Sequence, residues 1–148
     1  MPLNNLDRAA IEAVLTRQSA WEAGNAGAFA ADAQEGVLFT NVVGMFSIGR
    51  APFIAQHEHI FSTIYKGSRM EQEVVAITLV RPDVAIVDTL TKVVDAPHRP
   101  PGVELIDGAL RSRLEQVMVK DGTEWKVASF HNVAVNPAFA NGAPPPRS

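Results

Sequence analysis

The chain has 148 residues, of which 47% are apolar and 20% charged, enough for one buried core and too apolar for a disordered chain. Thirteen basic against 16 acidic residues leave a formal charge of −3 and no basic stripe, so no nucleic-acid partner is expected. The absence of cysteine excludes disulfides, thiolate metal sites and thiol nucleophiles.

No segment reaches the roughly 20 apolar residues of a membrane-spanning helix, and the N-terminus has no basic cap before an apolar run, so no membrane partner and a cytoplasmic location are expected. Residues 5–22 space Leu6, Ala10, Ile11, Val14, Leu15 and Trp21 along one helical face, with Asn4 or Asn5 as the cap and Gly24, Asn25 and Gly27 beyond its end. A short second helix is predicted over 26–33. Residues 36–43 are β-branched and aromatic and read as a strand ended by Gly44. A third helix follows over 50–66, with Pro52 in its first turn and Phe53, Ile54, Ile60, Phe61 and Ile64 as its apolar stripe.

Four strands are predicted after it, over 69–80, 84–94, 110–120 and 124–135. Pro82-Asp83 turns the first pair and Asp121-Gly122 the last. Residues 95–107 carry Pro97, Pro100, Pro101 and Gly102, which do not fit a central strand, and read as a long hairpin loop forming a rim or lid. Beyond residue 136 the composition falls to Ala, Asn, Gly and Pro, so residues 1–136 are expected to form a single domain and 137–148 a loose tail. Helices followed by a meander of long strands make an α+β architecture.

Three stretches carry a resemblance: Asn41-Val-Val-Gly-Met-Phe-Ser-Ile-Gly-Arg50, Gln116-Val-Met-Val-Lys-Asp-Gly-Thr-Glu-Trp125 and Ala128-Ser-Phe-His-Asn132. The chain resembles, over residues 5–136, the SnoaL-like and DUF4440 branch of the nuclear transport factor 2-like superfamily, closest to small proteins of enediyne biosynthetic clusters. The resemblance implies a cone-shaped barrel in which a strongly curved antiparallel sheet wraps around N-terminal helices, usually dimeric through the outer face of the sheet. Members include steroid isomerases, polyketide cyclases, dehydratases and kinase association domains, so the fold does not settle the function.

Alternation along the last hairpin puts Leu114, Gln116 and Met118 on one face together with Trp125, Val127, Ser129 and His131, with Met118 opposite Trp125. The other face carries Arg111, Arg113, Glu115, Val117, Val119, Lys126, Ala128, Phe130 and Asn132. A mostly apolar face with polar groups toward one end predicts a small-molecule pocket.

Within it His131 is the expected acid or base, and Asn41 with Gln116 would hold a ligand oxygen; Met45, Met118, Val127 and Ser129 would line the wall. His57 lies on the helix stripe and is either a pocket residue or a core histidine, whereas His59 lies off the stripe and faces solvent. Asp88, in the middle of an apolar strand, is a proton shuttle if it points inward and a surface charge if outward. Asn41 either reaches the pocket or closes a turn.

His57 and His59 lie two apart on a helix and point in nearly opposite directions, so no metal is expected, and no phosphate-binding or flavin- or nicotinamide-binding motif predicts a cofactor. The expected partners are a small hydrophobic molecule and a second copy of the chain. The sequence reading is thus a small-molecule pocket protein performing proton transfer, of isomerase, cyclase or dehydratase type, on a hydrophobic oxygenated ligand such as a polyketide or steroid-like ring. The alternative is an association module without chemistry, working through the outer sheet around Arg113, Glu115 and Phe130.

Overall fold

The side chain of Asn4 accepts a hydrogen bond from the Asp7 amide and starts helix α1, Asn5–Arg17, in a computed structural model that describes residues 2–140. Asp7 faces inward, accepting from the Trp125 indole (3.0 Å) and pairing with Lys120 (2.9 Å), which fastens the helix to the last hairpin. The helix tightens to a 3₁₀ turn at Gln18–Trp21, earlier than the apolar spacing predicts, and this turn aims both Gln18 and Trp21 into the core. Helix α2 is one turn, Ala26–Phe29, because the chain is already extended at Ala33.

Strand β1 runs Ala33–Thr40, and a tight turn at Asn41 leads to β2, Phe46–Ile48, a strand too short to show a periodicity in sequence. Gly49, at φ 110°, opens helix α3, Arg50–Ser62, which buries Phe53, His57 and Phe61 at four-residue intervals. The helix stops four residues before the expected end, although Ile64 and Tyr65 still pack inward.

Strands β3 (Arg69–Arg81), β4 (Val84–Val94), β5 (Leu110–Asp121) and β6 (Glu124–Ala134) fall within one residue of their predicted spans. The sheet order is β2-β1-β6-β5-β4-β3. Strand β1 pairs with β6 in parallel, so the curved sheet is mixed rather than antiparallel throughout, and it stays open at β2 and β3. The parallel pair arises because α3 carries the chain across to the far edge, and the meander from there returns beside β1.

The last hairpin departs from the expected register in two ways. Its turn residues are Gly122 and Thr123, so Met118 lies opposite Val127 and Trp125 opposite Lys120; the shift is two residues and leaves the faces unchanged. Then Val117 pairs with Ser129, leaving Ala128 as an extra residue in β6. That bulge exchanges the two faces for the rest of the strand. Phe130 is buried and Asn132 turns inward, while Ser129 and His131 lie on the outer face.

Asp88 also lies on the outer face, in the half-buried series Ile86, Asp88, Leu90 that alternates with buried Val87 and Thr89, so the outward alternative holds. The loop at 95–107 contains no strand; its end residues Asp95 (φ 60°) and Asp107 (φ 52°) take the left-handed conformation that Asp tolerates better than most side chains. A 3₁₀ turn at Pro137–Phe139, capped by Asn136, occupies the start of the expected tail, and residues 141–148 lie outside the described residues. Among the described residues no helix is long and apolar enough to cross a membrane.

Candidate functional site

Two layers fill the inside of the cone. The deeper one, toward the β3–β4 and β5–β6 turns, is closed by side chains. There Gln18 and Gln116 exchange amide hydrogen bonds (2.7 and 3.1 Å), Gln72 donates to Gln18 (2.8 Å), and Thr89 donates to Gln72 (3.2 Å). Gln116 is fully buried with both amide atoms engaged, so it is a structural group and cannot hold a ligand oxygen. Met118 and Val127 are also fully buried and belong to the core, not to a pocket wall.

The upper layer encloses a cavity of about 400 Å³. Strands β4, β5 and β6 supply its wall through Thr91, Ser112, Leu114, Phe130 and Asn132; the Asn41–Met45 turn and Pro100-Pro101 form its rim. The long loop therefore takes the rim position expected of it. Trp21, Phe29, Phe39 and Phe53 line the interior, with Phe53 stacked on Phe130 at 4.9 Å and Phe39 edge-on to Phe53 at 5.1 Å. No Asp, Glu, Lys or Arg borders it among the described residues.

His57 sits among these rings, 4.2 Å from Phe53 and 5.1 Å from Phe29 between centroids, and is 3% exposed. Its Nδ1 lies 2.8 Å from the Phe53 carbonyl oxygen. A carbonyl only accepts, so Nδ1 carries the hydrogen and Nε2 the lone pair of the neutral ring. Burial lowers the pKa of His57 to about 4, against the opposing pull of the Phe53 carbonyl. No hydrogen bond engages Nε2 among the described residues. The pocket and core alternatives for His57 thus merge: it is packed as a core residue yet borders the cavity.

Asn41 likewise does both things foreseen for it. Its Oδ1 accepts from the amides of Val43 (3.1 Å) and Met45 (2.9 Å), fixing the turn, and its Nδ2 donor has no protein partner among the described residues. Met45 borders the cavity at the rim and is largely exposed, as is His59.

Several groups were not anticipated. The Asn132 Oδ1 is buried without a hydrogen-bond partner among the described residues. The Tyr65 hydroxyl has no partner among the described residues either, and burial raises its pKa. Thr91 and Ser112 share a short hydrogen bond on the wall. Ser112 was legible, being two residues before Leu114 on the inner face; Asn132 was hidden by the bulge at Ala128. His131, Asp88 and Ser129, on the outer face, do not reach the cavity. Among the described residues no group of three or more His, Asp or Glu is placed to hold a metal ion.

No family model matches the chain, and no curated protein matches it. Solved structures do. A domain of unknown function with a cystatin-like fold from Nostoc punctiforme aligns with TM-score 0.79 at 23% identity over 95% of this chain and 84% of that one. The fold is the cystatin-like, nuclear transport factor 2-like cone. A scytalone dehydratase-like protein from Novosphingobium aromaticivorans aligns with TM-score 0.72 at 20% identity over 88% and 85% of the two chains. A ketosteroid isomerase-like protein from Erwinia carotovora atroseptica aligns with TM-score 0.69 at 17% identity over 90% of this chain and all of that one, 100%.

Proposed function

We propose that this protein binds a small, hydrophobic, oxygenated molecule in the cavity behind Pro100-Pro101 and moves a proton on it, with His57 as the base. One observation carries the reading: His57 Nε2, Asn41 Nδ2 and the Tyr65 hydroxyl have no protein partner among the described residues, and all three residues border one apolar cavity. Unpaired polar groups in an apolar enclosure cost stability, and a ligand oxygen relieves that cost. The cavity lies within the range of about 300–1,000 Å³ usual for ligand pockets.

With Nδ1 held by the Phe53 carbonyl, Nε2 is the ring atom that receives a proton from an acidic O–H or C–H of the ligand. Asn41 Nδ2 and the Tyr65 hydroxyl are the donors that would stabilise negative charge left on a ligand oxygen. The scytalone dehydratase-like and ketosteroid isomerase-like neighbours support chemistry of isomerase or dehydratase type. Assignment to the SnoaL-like branch rests on the motifs quoted above.

Native mass spectrometry of the purified protein, compared with its denatured mass, tests the reading. A neutral molecule retained at one per chain is expected, with deuterium exchange into that molecule slowed in His57→Phe. A ligand-free chain whose Trp21 emission is unmoved by a panel of oxygenated ring compounds overturns it.

A second reading has its own support, a homodimer formed through the outer sheet face. Ile48, Leu38, Ser129, Val117 and Ile86 lie in register across that face as a largely apolar row, and Leu38 and Ile48 are exposed. Phe130, once expected there, is inside the cone, so such a face would work through this row, with Arg113 and Glu115 beside it.

A further inference from the structure

We infer that the ligand is an uncharged aromatic compound bearing a hydroxyl group, and that this hydroxyl donates its hydrogen to His57 Nε2; the inference rests on the cavity being a small-molecule site.

Charge is the first constraint. No Asp, Glu, Lys or Arg borders the cavity among the described residues, and of its two histidines His57 is buried and neutral while His59 is exposed, so a carboxylate, phosphate or ammonium held inside would lose its hydration and find no counter-ion there. The ligand is neutral where the walls enclose it.

The second constraint is the direction of the hydrogen bond. Asn41 and Tyr65 can adapt to either kind of partner, because an amide donor or a hydroxyl meets a carbonyl or a phenol equally well. His57 cannot. Its Nδ1 is 2.8 Å from the Phe53 carbonyl oxygen one helical turn back, and the Nδ1 hydrogen must lie between them. Nε2 is left with a lone pair, no protein donor engages it among the described residues, and burial keeps the ring neutral. A ketone or ether oxygen placed there sets lone pair against lone pair, whereas a hydroxyl completes the bond.

Shape is the third. The imidazole lies 4.2 Å from the Phe53 ring, 5.1 Å from Phe29 and 5.3 Å from Phe39, so a group that reaches Nε2 passes between aromatic faces and edges. A planar ring fits such surroundings with favourable ring–ring contacts.

Calorimetric titration with four probes of one ring system tests this: naphthalene, β-naphthol, the methyl ether of β-naphthol, and β-naphthoate. The expected result is that β-naphthol binds about five- to tenfold more tightly than naphthalene or the ether, matching one hydrogen bond, and that β-naphthoate does not bind. In His57→Phe the naphthol should fall to the level of naphthalene. If the naphthol and its ether bind alike, or the naphthol keeps its advantage in His57→Phe, the hydroxyl assignment is wrong while the pocket stands. Tight binding of the naphthoate overturns the neutrality argument. Failure of all four to bind overturns the pocket reading itself. The comparison of naphthol with its ether uses the wild-type protein, so it decides the matter even if His57→Phe does not fold.

Discussion

His57 Nδ1 meets the Phe53 carbonyl oxygen at 2.8 Å inside helix α3, and this one bond sets the tautomer, the orientation and the free nitrogen of the only histidine that is buried among the described residues.

A dependence of stability on pH follows. The folded pKa of His57 is about 4 against 6.5 for the unperturbed group. Between those values the unfolded chain binds a proton that the folded chain refuses, so stability is full at neutral pH and falls as pH drops from 6.5 toward 4. The loss from this group amounts to roughly 3 kcal/mol at most. Urea unfolding at pH 7 and at pH 4.5 should show a steeper acid loss for wild type than for His57→Phe; equal slopes would mean that His57 does not titrate as a buried neutral ring.

Gln116→Ala should cost about 1–3 kcal/mol, because it strips Gln18 of a buried partner. Binding in the cavity should be little changed, since Gln116 does not border it. Chemical denaturation and ligand titration on the same variant separate the two effects, and a large affinity loss at unchanged stability would contradict this placement.

His131→Ala and Asp88→Asn should each leave stability within about 0.5 kcal/mol, as surface substitutions do. Ligand affinity and turnover should match wild type. A collapse of turnover in either variant would mean that the outer face takes part in the chemistry.

Val117→Glu places a charge in the middle of the apolar row between Ser129 and Ile86. Sedimentation velocity should show a dimer for wild type and a monomer for this variant, with the cavity still able to bind. A dimer unaffected by the substitution would move the contact to another face.

Much of the fold was legible in one dimension. The helix stripes at Ile11, Val14 and Trp21 and at Phe53, His57 and Phe61, and the period-two alternation of β4 from Val84 to Val94, are local patterns, and local patterns survive in sequence because each side chain's face follows from its neighbours. The cone-shaped fold implied by the resemblance held, and Asn41 and His57 border the cavity.

What the pattern could not carry was the phase of β6 after Val127. One unpaired residue, Ala128, reverses every later side chain, so His131 and Ser129 went out and Phe130 and Asn132 came in. Nothing in the run Ala128-Ser-Phe-His-Asn132 marks that residue, because the bulge is a property of the pairing with β5 rather than of β6 alone. The fate of Gln116 was equally non-local: whether an inward amide meets a ligand or another amide depends on Gln18, 98 residues away in the chain, and only the folded chain brings the two together.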